Sequence, residues 1–280
     1  MKRVVEHGGF IMHEVGNYTL KPFSRQRQNI SLVAHEGWLK HSIHAVLEFN
    51  VTDARRIIKE YEKKSGEKIS FTGWLIKCVA QAISEHKELN SYRQGRKKIV
   101  IFDDVDVGIP VERFVDGEYR PLGYVIRKAN EKNVKEITEE IRAIRKETVN
   151  KSKEVLGQEL GRFERFVLSS PFFIRKFLLW IVRRNGILKK KYFGTIGLTS
   201  IGMIGRFNGW VIPLGGVSST LVAVGGITEK PGVIDGRIKI REYLPVVVTV
   251  DHDLVDGGLV TRFIDRLTEL VENAHELKDL

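Results

Sequence analysis

Cysteine is almost absent from this chain. A single one, Cys78, among 280 residues excludes an internal disulfide framework and a multi-cysteine zinc site. It lies in the apolar stretch Trp74-Leu75-Ile76-Lys77-Cys78-Val79-Ala80, which predicts a buried small hydrophobe, not a reactive thiol. Proline is scarce, at 7 residues, and no Pro- or Ser-rich linker or short repeat divides the chain. No apolar run approaches the length that spans a bilayer. The opening MKRVVEHGGF lacks the apolar core of an export signal, so the expectation is a cytoplasmic protein. No Gly-x-Gly-x-x-Gly separates a strand from a helix, which argues against a doubly wound dinucleotide fold. Acidic residues are in the minority, 35 against 46 basic, leaving a net charge of +11. That balance favours polyanionic partners: nucleic acid, acidic membrane surfaces or ligands with several phosphates. Nucleic acid is discounted, because neither a recognition motif nor an aromatic platform accompanies the charge.

The composition is that of an ordinary folded chain, 42% hydrophobic and 29% charged, long enough to bury a sizeable core. Residues 1–24 lack clear periodicity and read as an N-terminal arm or edge strand. From His41 the sequence alternates, with Ile43, Ala45, Leu47 and Phe49 on one face of a strand. Thr52 is expected to cap a helix that stops at Gly66, and Ser70-Phe71-Thr72 to open a second one running to about His86. Lys98 to Glu112 reads as strands. Val134, Ile137, Ile141 and Ile144 mark a helix from Lys132 to Glu147. Strands come next in GTIGLTSIGM, STLVAVGGI and KIREYLPVVVTV, and GGLVTRFIDRLTELVENA closes as a helix. This mixture predicts an α/β layer protein with a large mixed sheet and packed helices.

Residues 171–191, PFFIRKFLLWIVRRNGILKKK, combine an apolar stretch with a strongly basic end. They read either as a helix lying on an anionic membrane or as one packed on the protein's own body or on a neighbouring subunit. Packing is the favoured expectation.

The chemistry concentrates near the C-terminus. The apolar strand Leu244–Val250 runs into Asp251-His252-Asp253-Leu254-Val255-Asp256-Gly257-Gly258. A strand of that kind holds the next residues in place, and the glycines allow a tight turn bringing imidazole and carboxylate together. Histidine titrates near neutrality, so His252 is the natural base. The other seven histidines are read as structural. A metal site from His35, His41 and His44 is not expected, since nothing assures them a common face.

Asp251-His252-x-x-x-Asp256-Gly257 resembles the DHxxxDG signature of the dihydrolipoamide acyltransferase catalytic domain of 2-oxo-acid dehydrogenase complexes; chloramphenicol acetyltransferase shares the HxxxDG core and the fold. Ser24-x-x-Arg27-x-x-Ile30 is similar to the family's opening S-x-x-R-K-x-I, and Phe71-Thr72 through Leu89-Asn90 to its next helix. Gly194-Thr195 to Gly202-Met203-Ile204-Gly205 aligns without gaps on G-T-F-T-I-S-N-L-G-M-F-G. The resemblance covers roughly residues 20 to 275.

It implies a single catalytic domain over residues 25–280 with a two-layer chloramphenicol acetyltransferase-like fold. It further implies a CoA-dependent acyltransferase with CoA as acyl-CoA substrate, a homotrimer and an active site in a channel between subunits. His252 would then be the base that makes the acceptor thiol a thiolate, with a hydroxyl stabilising the oxyanion. The alignment places Thr199 where the family has its donor serine and Ser200 where it has asparagine; either hydroxyl could serve, and the alignment prefers Thr199. Asp256 is expected to pair with Arg27 and hold the turn, with Gly257 in support. Arg93, Arg96 and Lys97 are weak candidates for the phosphates of CoA.

Three departures are expected to matter. The chain starts at the catalytic domain, so it is expected to carry no lipoyl group and to meet a lipoyl-bearing protein, if at all, as a separate partner. The stretch from Glu140 to Gly194 is about twice the family spacing, which suggests a helical insertion over 145–192. Thr199 and Ser200 replace Ser and Asn. Acyl transfer to a hydroxyl or amine, or a non-catalytic trimeric scaffold, are the alternatives.

Overall fold

A computed structural model of the chain describes residues 16–115, 118–146, 154–155, 158–159, 167, 170–202 and 208–280. The principal sheet has seven strands: β1 (Ser42–Asn50), β4 (Val107–Val115), β5 (Glu118–Ile126), β8 (Ile196–Ser200), β9 (Thr220–Val224), β10 (Thr228–Ile234) and β11 (Arg237–Asp251). Its order is β1-β11-β9-β8-β4-β5, with β10 beside the first half of β11. Pairing is antiparallel except at β9–β8 and β8–β4, which are parallel. The sheet is therefore mixed, as the pattern of elements predicts. Two small hairpins stand apart, β2 (Ser91–Gln94) with β3 (Lys98–Ile101), and β6 (Glu154–Val155) with β7 (Gln158–Glu159).

Helices α2 (Thr52–Ser65), α3 (Phe71–Glu85), α4 (Val134–Lys146) and α7 (Gly257–Glu272) belong to the layer on one face. Between them and the sheet lies the core, in which Phe49, Trp74, Ile137, Val248 and Phe263 are essentially inaccessible. Alternation assigns the sheet's two faces. Leu244, Val246, Val248 and Val250 of β11 and Ile196 and Leu198 of β8 belong to this core. Val134, Ile137, Ile141 and Ile144 are buried along α4 as their spacing predicts. A reciprocal box starts that helix: Asn133 Oδ1 accepts Glu136 N–H at 3.0 Å, and Glu136 Oε2 accepts Asn133 N–H at 2.8 Å. Cys78 is fully buried in α3, and burial pushes its thiol well above the usual range.

Two local expectations change. Thr52 does not cap α2. The preceding position is the buried Val51, so Asn50 Oδ1 accepts both the Thr52 N–H at 3.2 Å and its hydroxyl at 2.7 Å. Thr52 Oγ1 instead accepts the Glu242 N–H of β11 at 2.8 Å. Gly66 ends the helix in the left-handed region, φ 75°, as expected. Residues 171–191 form two helices: α5 (Phe172–Arg183) and α6 (Gly186–Phe193). They break at Asn185, whose Oδ1 accepts the N–H groups of Ile187 and Leu188 at 3.1 Å.

The opposite face of the sheet is less regular. Helix α1 (Arg25–Trp38), capped by Ser24, lies beside α5 and close to the backbone of residues 214–216. The approach at Gly37 is so close that any side chain there would meet that backbone. Residues 16–24 carry no regular structure and are exposed; the rest of the expected arm lies outside the described residues.

Candidate active site

Strand β11 is continuously buried from Leu244 to Val250 and delivers His252 to its end. The backbone there is held from two sides. Asp251 N–H donates to Ser219 O at 3.0 Å, and His252 N–H to His41 O at 2.9 Å. Asp251 Oδ1 accepts the Asp253 N–H at 3.2 Å, closing the turn through the side chain. The His252 side chain is exposed, so the turn is rigid while the imidazole faces outward.

His41 and Asp253 flank it. Their side chains meet at 2.9 Å, and the hydrogen bond to Asp253 is the main reason that the His41 pKa is raised. Arg93, in β2, comes to 4.0 Å from the other Asp253 oxygen. The hairpin therefore brings Arg93 to the turn, while Arg96 and Lys97 sit at its exposed tip beyond Gly95.

Asp256 does not pair with Arg27. It is the N-cap of α7, its Oδ1 accepting the Leu259 N–H at 3.0 Å. A carboxylate at a helix N-terminus satisfies an otherwise unbonded donor and meets the positive end of the dipole. Arg27 lies in the first turn of α1, exposed. Gly257 opens α7 next to the cap.

Thr199 and Ser200 point to opposite faces of β8. Ile196 and Leu198 are core residues, so Ser200 falls on the helix side and Thr199, with Gly197, on the other. Thr199 lines a largely apolar cavity of about 230 Å³ together with Val33, Ile109, Tyr124, Phe193 and Leu221. Register fixes its relation to His252. Thr199 pairs with Ala223, and Ala223 with Val247, which lies five residues before His252. Two strand spacings across and five residues along place Thr199 and His252 about 20 Å apart in one chain.

Sequence reasoning overlooked a cluster of charges behind the turn. Lys40 Nζ donates to Val217 O at 3.1 Å and to Ser218 O. Burial, aided by the neighbouring Lys189, lowers its pKa to about 8, while Asp251 and Glu36 pull it upward. Burial likewise lowers the Lys189 pKa and raises that of Glu36. Arg183 of α5 reaches Glu36 at 3.9 Å. Lys40 thus ties the segment that ends in His41 to the one that ends in Ser219, the two carbonyls that hold the His252 turn. The signal available in the sequence was only Lys40's place next to a strand start. Of the histidines nearby, His44 Nδ1 meets Thr249 Oγ1 at 2.8 Å, while His41 is engaged with Asp253.

Known proteins resemble this chain in sequence and in fold. The catalytic-domain model of the 2-oxoacid dehydrogenases acyltransferase family matches residues 17–157 and 184–278, leaving 158–183 unmatched. The lipoamide acyltransferase component of the branched-chain alpha-keto acid dehydrogenase complex of Bacillus subtilis is 25% identical, over 82% of this chain and 46% of its own length. The chain thus spans about half the length of the curated relatives it matches. Among solved structures, the dihydrolipoamide acetyltransferase of Azotobacter vinelandii superposes with a TM-score of 0.69 at 17% identity, covering 98% of this chain and 100% of that one. The cubic core of the pyruvate dehydrogenase multienzyme complex gives 0.68 at 18% identity, with coverage of 98% and 100%. With the signature turn in place at the end of β11 and the matched residues spanning most of its length, the chain belongs to the 2-oxoacid dehydrogenases acyltransferase family, as a catalytic domain.

Proposed function

We propose that the chain transfers an acyl group between CoA and a thiol acceptor, either a protein-borne dihydrolipoyl group or a small molecule. His252 is the general base. It takes the proton of the attacking thiol, whose ordinary pKa near ~8.5 leaves it mostly protonated at neutral pH. The sulfur then adds to the thioester carbonyl. As the carbon–sulfur bond to CoA breaks, the proton passes from His252 to the departing sulfur, so charge and atoms balance. The Thr199 hydroxyl donates to the oxyanion formed in between; one such donor is typically worth about 2.7–4 kcal/mol.

The observation that carries this reading is the His252 turn, fixed by two backbone hydrogen bonds while its side chain stays exposed. The apolar cavity beside Thr199 supports it, since a narrow thiol-bearing arm suits such a lining. The wide separation between Thr199 and His252 supports a site shared between copies, His252 from one and Thr199 from the next, in a cyclic trimer. Arg93, near the turn, is the cation best placed for a CoA phosphate. Asp256 acts on the turn as a helix cap and not as a second base. The family model leaves residues 158–183 unmatched, which supports an insertion within the 145–192 stretch.

Transfer from a panel of acyl-CoAs to free dihydrolipoamide tests the proposal. His252→Ala is expected to lower the rate by about 10²–10⁴-fold while CoA binding by calorimetry persists. CoA binding without transfer to any thiol would move the acceptor to a hydroxyl or amine. Neither transfer nor CoA binding would leave the scaffold reading.

A further inference from the structure

Helix α5 buries a charge and exposes aromatics. Its buried residue is a cation: Arg175 is 6% exposed, and its guanidinium donates to Gln28 Oε1 at 2.6 Å and Asn29 Oδ1 at 2.5 Å on α1. The outward side carries Phe172, Phe173, Phe177, Trp180 and Ile181, of which Phe173 and Phe177 are 70% and 58% exposed. Phe177 and Trp180 stack at 5.8 Å, and the Arg184 guanidinium lies 3.9 Å from the Trp180 ring centre. The favoured sequence expectation is packing on the chain's own body or on a neighbouring subunit; the chain's own body half-buries Ile174, Leu178, Leu179 and Val182 but leaves these five side chains uncovered. Water-facing aromatics in a continuous stripe are costly, and such patches mark a surface that something else covers.

Charge points to the nature of that cover. Between 171 and 193 the chain has no Asp or Glu; Arg175, Arg183 and Lys189 are engaged within the fold, and Lys176 and Arg184 are exposed beside the aromatics. A second copy, itself at +11, meets this face with like charge overall, whereas an anionic surface complements it. At 12 residues, α5 is about 18 Å long, too short for the ~30 Å core of a bilayer. No helix among the described residues is long and apolar enough to cross a membrane. A helix of this length with Trp and Phe on one side, rimmed by Lys176 and Arg184, is built to lie flat at a lipid interface. It also falls in the stretch, 158–183, that the family model leaves unmatched, so its occupant is not set by the fold.

We propose that the exposed face of α5 docks the protein on an anionic lipid bilayer, with Phe173, Phe177 and Trp180 inserted among the headgroups and Lys176 and Arg184 paired with lipid phosphates.

The test is co-sedimentation of the full chain with phosphatidylcholine vesicles, with and without about a third phosphatidylglycerol. Binding is expected on the anionic vesicles alone, and release as salt rises. Phe173→Gln with Phe177→Gln should weaken it by about tenfold or more, with acyl transfer and oligomeric state by sedimentation velocity unchanged. On the unaltered protein, bromine-labelled lipid should quench fluorescence that Trp180→Phe removes, a readout independent of the double variant's folding. Absence of binding by the unaltered protein, undiminished binding by the variant, or no lipid quenching would overturn the proposal. A changed oligomeric state in the variant would also overturn it, and would make the face a contact between copies.

Discussion

At the scale of single residues, the two candidate hydroxyls separate cleanly. Thr199 faces the cavity and Ser200 the helix layer, so Thr199→Ala is expected to lower kcat by about 10²–10³-fold. Ser200→Ala should leave kcat nearly intact; steady-state transfer kinetics on both variants check this. Lys40 gives a pH dependence. Its pKa falls from the ordinary 10.5 to about 8 on folding, so between these values the unfolded chain holds a proton that the folded one does not. Stability then rises with pH across that window, and the full cost of burying the charge is present below it. Measured against Lys40→Met, the unaltered protein should gain up to about 3 kcal/mol between pH 8 and 10.5 by urea unfolding. A flat difference would remove Lys40 as the titrating group. His252 was legible in the sequence because a buried strand announces itself and a turn must come after it. Lys40, His41 and Asp253 were not, because their partners lie 177 or more residues away and the β1–β11 and β11–β9 pairings bring the elements together.

At the scale of elements, most strands and core helices were legible through periodicity, α4 and β11 above all. Helix α1 was not, since its apolar residues are few and it is held by the Ser24 cap and by contacts across the sheet. Asp256 was assigned to the right turn, but within the chain it caps α7 and does not meet Arg27. A pattern match carries a residue's position, but the local geometry decides whether a carboxylate reaches an arginine or its own helix terminus. The cap makes a sharp distinction. Asp256→Ala should destabilise the chain by about 1 kcal/mol, Asp256→Asn should retain most of the cap, and Arg27→Ala should be near neutral. Chemical unfolding of the three variants reads this directly; equal losses for Arg27→Ala and Asp256→Ala would restore the pair.

At the scale of the whole molecule, fold class and family were legible because the C-terminal signature and the 196–200 part of the gapless segment lie on, or at the end of, different strands of one sheet. No linear motif carries the separation of the two chemical groups. Sheet order places β9 between β8 and β11, and register then holds Thr199 and His252 about 20 Å apart within a chain. The proposed site, with His252 and Thr199 acting together, would therefore be completed by a second copy. The most direct measurement is complementation: co-express His252→Ala with Thr199→Ala, each inactive alone, and assay acyl transfer by the mixed assembly. In a cyclic trimer with random mixing, about a quarter of the sites join an intact His252 to an intact Thr199, so activity should return to about a quarter of the unaltered level. If the mixture remains as inactive as its parents while mixed assemblies form, the two residues do not act across copies and the shared site is ruled out.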